Sequence, residues 1–292
     1  MSTYNELKLS VVMPAKNEGL SIASVVKNVL KVVPQAEVIV VDDGSTDETA
    51  FLANDAGARV ISHPYSMGNG AAIKTGARNA KGDIIVFMDA DGQHNPDDIP
   101  RLLEGIANGY DLVVGARSSK SQASIARLVA NGFYNRFASW MVGHQIDDLT
   151  SGFRAVVREK FIQFLYLLPN GFSYPTTSTM AFFRAGHSVA YVPIVAEKRI
   201  GKSHISISKD GVRFLLIIFK IGTLYSPLKL FAPISVMFLF LGIGYYSYTY
   251  FFFDRFTNMS ALLMISSLLF FVLGLISEQV SMLQYMNNEK KG

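Results

Sequence analysis

The stretch DIIVFMDADGQHNPDD, Asp83–Asp98, decides how this chain is read. Ile84 to Met88 form an unbroken apolar run, the pattern of a strand buried on both faces. Asp89, Asp91, Asp97 and Asp98 follow at once. Asn95, Pro96 and the two later acids make a helix start, with Asn95 as cap and Pro96 at the first position. That accounts for Asp97 and Asp98, but not for Asp89 and Asp91, which precede the cap. Side chains alternate faces along an extended strand, so Asp89 and Asp91 point the same way with Ala90 between them. Two carboxylates aimed at one point repel unless a cation lies between them. Oxygen-only ligands suit Mg²⁺ or Mn²⁺, and Gln93, again two residues on, adds an amide oxygen.

Working outward, the run is one of five. LSVVMP ends at Pro14, EVIVVDDG ends at Asp42, Asp43 and Gly44, and ARVISHP and DLVVGAR complete the set. Helical patterns fill the gaps, and STDE at Ser45 reads as a capping box with Glu48. Alternating strands and helices predict an α/β fold, a mostly parallel sheet with helices on both faces. Ligands of such sheets bind beyond the carboxyl ends of the strands, where the acids of the second and fourth strands lie. SMGNGAAIKTG has Ile73 where a dinucleotide fingerprint needs glycine, so that fingerprint fails.

Composition sets the remaining frame. Of 292 residues 50% are hydrophobic and 17% charged, against about 25% charged in average soluble proteins. The net charge is +4 with no long basic run, which suits an anionic membrane surface or anionic substrates and argues against nucleic acid. The absence of cysteine excludes disulfides, thiolate zinc sites and thiol catalysis. Trp140, with nearby Phe133, Tyr134 and Phe137, falls on an apolar helical pattern that predicts core or interfacial packing. His63, His144 and His187 lack metal-ligand spacing and read as ordinary loop or surface histidines.

After residue 208 the character changes. Over 209–228, Lys209, Arg213, Lys220 and Thr223 share one narrow sector of a helical wheel, the layout of a helix lying in a membrane interface; a buried helix with snorkelling cations is the alternative. From Lys229 to Asp254 lie 24 uncharged residues, and from Arg255 to Glu278 another 22. Either run crosses a hydrocarbon core of about 30 Å at about 1.5 Å per residue. Residues 229–292 therefore predict a transmembrane hairpin, with spans at about 230–253 and 256–277 and a short tail. Tyr245, Tyr246, Tyr248 and Tyr250 gather at its outer end as an aromatic belt. Lys220, Lys229, Lys290 and Lys291 flank it, which puts both ends on the cytoplasmic side of a plasma (inner) membrane. The N-terminus lacks a signal-peptide layout, so residues 1–208 are expected in the cytoplasm.

VVMPAKNE, VIVVDDGSTDET and VFMDADGQHNPDDI together resemble a family 2 glycosyltransferase with a GT-A, Rossmann-like fold. The later GAR, DLTSGFRA and RIGKSH resemble its polyprenyl-phosphate sugar transferase branch. The resemblance implies an inverting, metal-dependent enzyme that moves one sugar from a UDP- or GDP-linked donor to undecaprenyl or dolichyl phosphate. It implies that Pro14, Ala15, Asn17 and Glu18 line the base, that Asp42 and Asp43 lie near base and ribose, and that Asn69 and Gly70 lie under the nucleotide. It makes Asp89, Ala90, Asp91 and Gln93 the DxD-x-Q metal and diphosphate site. Arg117, Arg127 and Arg199, with Lys202 and Ser203, would hold the lipid phosphate. His204 stands where lysine is commoner, and Ala130 and Asn131 replace an expected serine, with Asn131 and Asn135 as polar substitutes. Asp148, Ser151 and Gly152, and Arg154 beyond them, would line the sugar. Asp147 or Asp148 serves as a general base only for an acceptor that carries a proton; otherwise it makes a local loop hydrogen bond or a sugar contact. A homo-oligomer, a flippase and a downstream lipid-linked-sugar transferase are the protein partners implied. Two alternatives stay open: a non-processive transferase acting on a glycolipid or glycan, and a non-catalytic nucleotide-sugar-binding partner of a flippase.

Overall fold

A computed structural model describes residues 8–117, 125–171, 174–196, 219, 222, 223 and 225–289; the side chains of 125–131 and 284–289 lie outside that description. The chain divides into two compact units, Met1–Ile205 and Ser206–Gly292.

The first unit is built on a seven-stranded sheet. The five expected strands are β1 (Leu9–Ala15), β2 (Glu37–Asp42), β3 (Arg59–Ser62), β4 (Ile84–Phe87) and β5 (Leu112–Arg117), joined by β6 (Arg154–Val157) and β7 (Val189–Ile194). The order is β3-β2-β1-β4-β6-β5-β7. All pairings are parallel except those of β6, which runs antiparallel to both β4 and β5. β1, β2 and β4 are buried along nearly their whole length, as their alternation-free apolar sequences require.

Helices cover the sheet. α1 (Ile22–Val32) buries Ile22, Val25, Val26 and Val29, the i, i+3, i+4, i+7 stripe of an amphipathic helix. α2 (Thr49–Asp55) starts later than the STDE pattern predicts. The capping box does not form, because the Ser45 hydroxyl accepts the Asn17 N–H at 2.9 Å and Asp47 Oδ1 takes the Thr49 N–H at 3.1 Å. α3 (Asn69–Asn79) buries small residues, and a Cβ on Gly76 would lie 2.2 Å from a Val12 methyl, so the helix closes tightly on β1. The Asn95–Pro96 signal is realised as a short 3₁₀ turn, Pro96–Asp98, with Asn95 Oδ1 accepting the Asp97 N–H at 3.1 Å, and α4 (Ile99–Ala107) follows. The less regular region supplies α5 (Ile125–Val142), α6 (Arg158–Ile162) and α7 (Tyr174–Arg184).

The second unit contains α8 (Pro227–Phe253) and α9 (Asn258–Glu289), both long and apolar enough to cross a membrane. They pack through small residues: Ser235, Gly242 and Thr249 on α8, and Ser260, Ser267, Gly274 and Ser281 on α9, all buried. The seven-residue spacing is that of a coiled pair, and small side chains let two backbones approach closely. Ser235 and Ser267 each donate to the other's backbone carbonyl, at 2.9 and 2.8 Å. Asp254 closes α8 in the left-handed region, φ 48°. Of the expected interfacial helix, 209–218, 220, 221 and 224 lie outside the described residues, Lys209, Arg213 and Lys220 among them.

Candidate active site

Strand directions gather the candidate residues at one edge. β1, β2, β4 and β5 are mutually parallel and present their carboxyl ends there, while antiparallel β6 presents its start: Arg154 is paired with Phe87 of β4 and Val114 of β5. Asp42 and Asp43, Asp89 and Asp91, Arg117, and the loop from Asp148 to Gly152 therefore share one rim.

At the mouth of β4 the chain folds back on itself. Gly92 adopts φ +77°, a conformation open to glycine. The Gln93 N–H then returns to Asp91 Oδ1 at 3.1 Å, and the Asp89 N–H donates to His94 Nδ1 at 3.3 Å. Ser21, the residue before α1, donates its Oγ hydrogen to the Ala90 carbonyl at 2.8 Å. His94 is buried and stacks on Phe153 at 5.0 Å. Burial holds its pKa down to about 4, against the pull of Asp91, so the ring is neutral. Asp89 keeps 36% of its side chain exposed, whereas Asp91 is buried. A Cβ on Gly152 would come within 2.9 Å of Asp89 Oδ2, so glycine leaves that carboxylate its room.

These residues fit a hard divalent cation. The donors are oxygens, and the imidazole Nδ1 is already used. Among the described residues no group of three or more His, Asp or Glu side chains could hold a metal alone. Two carboxylates suit an ion that completes its shell with phosphate and water.

Arg117 and Asp148 form the opposite wall. Arg117 Nε and Nη2 donate to Asp148 Oδ2 and Oδ1 at 2.8 and 3.1 Å, and the Arg117 N–H adds a bond to Oδ2 at 3.2 Å. The Thr150 and Ser151 N–H groups and the Thr150 hydroxyl also donate to Oδ1. Burial alone would raise the Asp148 pKa; Arg117 and these N–H groups outweigh it and hold the carboxyl below its ordinary range. Burial would lower the Arg117 pKa, but Asp148, and then the charge of Asp89, raise it. Asn135 of α5 grips the loop on both sides of Asp148, donating to the Asp147 carbonyl at 2.7 Å and accepting the Leu149 N–H at 3.1 Å.

Behind this wall lies Arg154, fully buried. It donates to the Ser151 and Pro175 carbonyls and to Ser178 and Thr179, and its guanidinium sits 5.7 Å from the Tyr174 ring centre. Tyr174 in turn holds the Gly152 carbonyl at 3.0 Å. Arg154 makes no ion pair among the described residues, and its Nε, like the buried Ser151 hydroxyl, has no hydrogen-bond partner there.

The β1 and β2 ends make the third wall. Pro14 and Ala15 close β1, and Ala15 accepts the Asp43 N–H at 2.8 Å. Asn17, at φ 54°, accepts the Thr46 N–H, and the Glu18 N–H donates to Thr49. Asp42 accepts the Ser45 N–H at 3.1 Å. Both Asp43 oxygens are occupied: Oδ1 by His63 and the Met67 N–H at 2.8 and 2.7 Å, Oδ2 by Ser66 and the Gly68 N–H at 2.8 and 2.9 Å. Burial pushes its pKa up, but these donors, His63 foremost, bring it below the ordinary range. His63 is thus not an ordinary loop or surface histidine: its side chain is 7% exposed and bridges Asp43 to Thr75. Asn69 and Gly70 open α3, but its first N–H groups do not face open space. Gly70 and Ala71 donate to the Gly171 and Asn170 carbonyls at 3.2 and 2.9 Å, and a Cβ on Gly70 would overlap the Pro169 carbonyl.

The Arg127 side chain, Arg199, Lys202, Ser203 and His204 lie outside the described residues, as do the side chains of Ala130 and Asn131. Tyr174, the bridging role of His63 and the stacking of His94 on Phe153 escape a reading of the sequence, because those partners lie on distant segments.

Comparison with known proteins bears on the family and the fold. Residues 10–165 match the family model described as Glycosyl transferase family 2, and residues 226–283 match the GtrB C-terminal hairpin. The polyprenol monophosphomannose synthase of Mycolicibacterium smegmatis is 31% identical over 67% of this chain and 80% of its own. The dolichyl-phosphate hexose transferase of Haloferax volcanii is 30% identical over 72% and 92%. The undecaprenyl-phosphate mannosyltransferase of Micrococcus luteus is 28% identical over 68% and 88%. Among solved structures, glucosyl-3-phosphoglycerate synthase from Mycobacterium tuberculosis, in complex with Mn²⁺, UDP and glucosyl-3-phosphoglycerate, superposes with TM-score 0.59 at 25% identity, covering 75% of this chain and 80% of that one. The same enzyme with Mg²⁺ and UDP gives 0.59 at 27% identity over 73% and 80%. A family model matched over more than half of the chain, and a relative 31% identical over two thirds of it, make this chain a member of glycosyl transferase family 2.

Proposed function

We propose that the protein is a membrane-anchored, inverting glycosyltransferase that moves one sugar from a nucleoside-diphosphate sugar to polyprenyl phosphate at the cytoplasmic leaflet. The observation that carries this reading is the state of Asp148. A hydroxyl acceptor needs a base near the reacting carbon. Asp148, the carboxylate beside Arg117, is saturated by donors and held ionised below its ordinary range. A lipid monophosphate needs no base, since its second pKa of about 6 leaves it mostly dianionic at neutral pH. It needs cations, and Arg117, with Arg127, Arg199 and Lys202, would supply them, while the Ser203 hydroxyl would donate a hydrogen bond; Arg suits bidentate phosphate contact.

Asp89, Asp91 and Gln93 would hold Mg²⁺ or Mn²⁺ against the donor diphosphate. When bound there, the ion would supply charge to stabilise a departing nucleoside diphosphate. A lipid phosphate oxygen forms the new bond to the anomeric carbon as the bond to the diphosphate oxygen breaks. The electron pair leaves with the nucleotide, no proton moves, and the anomeric centre inverts. Pro14, Ala15, Asn17, Glu18 and Asp42 would contact the nucleotide, while Asp43, through His63 and the 66–68 loop, would shape its floor. Ser151 and Gly152 would border the sugar, and Asp148 would orient Arg117.

The test offers labelled UDP- and GDP-sugars to purified protein with undecaprenyl phosphate, with and without EDTA. An organic-soluble, mild-acid-labile product formed only with divalent metal supports the reading. No lipid-linked product across the panel overturns it.

A further inference from the structure

Tyr174, the first residue of α7, connects two parts of the site. Its ring packs edge-on against Phe87, the last residue of β4, with 6.1 Å between ring centres. Phe87 lies two residues before Asp89. The Tyr174 hydroxyl donates to the Gly152 carbonyl at 3.0 Å. Tyr174 therefore ties the strand that leads to Asp89 to the loop that faces it. The two surfaces meet closely: a Cβ on Gly152 would lie 2.9 and 3.2 Å from the Asp89 oxygens and 3.4 Å from its carboxyl carbon. Arg154 steadies the tie from behind. It is paired with Phe87 across the sheet, and its guanidinium sits against the Tyr174 ring. It also holds the Ser151 carbonyl and, through Pro175, Ser178 and Thr179, the first turn of α7. Phe87, Arg154 and Tyr174 are all buried.

We propose that Tyr174 is a positioning residue for the Asp89 carboxylate. Asp89 keeps 36% of its side chain exposed, whereas Asp91 is buried. A half-exposed side chain must be ordered when it grips a ligand, and a wall fixed in advance removes part of that cost. The Gly152 backbone is that wall. Glycine gives a loop wide backbone freedom, and two bonds take that freedom away here: Tyr174 holds the Gly152 carbonyl, and Arg154 holds the Ser151 carbonyl. The inference rests on the reading of Asp89 and Asp91 as carboxylates that hold a divalent ion, and it extends that reading to a residue that would touch neither ion nor donor.

The test is Tyr174→Phe, which removes the hydroxyl and keeps the ring. Free Mn²⁺ is followed by electron paramagnetic resonance as purified full-length protein is added, with uridine diphosphate present and, separately, with guanosine diphosphate. Loss of one net hydrogen bond to the wall predicts Mn²⁺ binding about three- to tenfold weaker than in wild type. Ser188→Ala is the control. It removes a hydroxyl that donates to the Gly109 carbonyl and accepts the Asp111 N–H, at the opposite end of β5. That variant should lower Tm and leave Mn²⁺ binding unchanged. Mn²⁺ bound by Tyr174→Phe as tightly as by wild type overturns the proposal. So does an equal weakening in Ser188→Ala, which would mark a general loss of stability. Wild-type protein that binds no Mn²⁺ with either nucleotide overturns the metal reading and this proposal with it, so the two failures are told apart.

Discussion

Replacing Asp148 by asparagine separates an orienting carboxylate from a catalytic base. Asparagine retains one acceptor oxygen. If it takes the Oδ1 position it keeps the Thr150 and Ser151 N–H groups and Arg117 Nη2, and its amide then faces two donors, Arg117 N–H and Nε. Two charge-assisted bonds are lost, at about 1.5–3 kcal/mol each. Breaking a buried pair from one side costs about 3–5 kcal/mol. Arg117 is 29% exposed at its side chain and can swing toward water, so a loss near the lower end, about 3 kcal/mol, is expected. For a domain of this size that lowers Tm by about 6–12 °C. Trp140 emission follows unfolding in detergent. The depressed Asp148 carboxyl stabilises above its unfolded pKa of about 3.9 and loses this only as pH falls through its lower folded value. The gap between wild type and variant is therefore flat from pH 5 to 8. Transfer should fall by about 10–100-fold, one to two factors of ten for a misplaced Arg117, with the shape of the pH–rate profile unchanged. Unchanged Tm, loss beyond about 10³-fold and disappearance of an acid limb would mark a base and refute the reasoning.

Other consequences follow from single contacts. Gly152→Ala puts a Cβ 2.9 Å from Asp89 Oδ2 and should weaken Mn²⁺ binding measured with nucleotide present, with little change in Tm. His94 has a folded pKa of about 4 against about 6.5 unfolded. Its contribution is complete above about 6.5 and is lost as pH falls toward 4, a loss of about 3 kcal/mol at about 1.36 kcal/mol per unit. Metal-free protein should show this as a falling Tm, and His94→Gln should flatten the fall. Gly70→Ala drives a methyl into the Pro169 carbonyl, and thermal unfolding should show a loss of about 1–3 kcal/mol.

Much of this was legible in sequence because local signals dominate there. The apolar runs of β1, β2 and β4 admit few readings, and the acids at their ends must lie at the carboxyl edge of a parallel sheet. The charge-free runs that became α8 and α9 were equally plain, though α9 continues to Glu289. β6 was not legible: RAVV is short, and only its non-local pairing between β4 and β5 makes it a strand. The capping box failed for a related reason, since Ser45 was recruited by Asn17 from the β1 end. Asp148 read as a loop or sugar contact, and as a base only for an acceptor that carries a proton; its partner Arg117, 31 residues away, was not legible. His63, and the stacking of His94 on Phe153, depend on partners brought together by folding.

The most direct measurement follows Mn²⁺ by electron paramagnetic resonance as purified protein is titrated with uridine or guanosine diphosphate. The account predicts that one of the two nucleotides, together with Asp89 and Asp91, draws the free Mn²⁺ signal down, and that Asp89→Asn/Asp91→Asn restores it without unfolding the chain. Mn²⁺ bound equally well by the double variant, or diphosphate bound with the same affinity when metal is chelated, would contradict it.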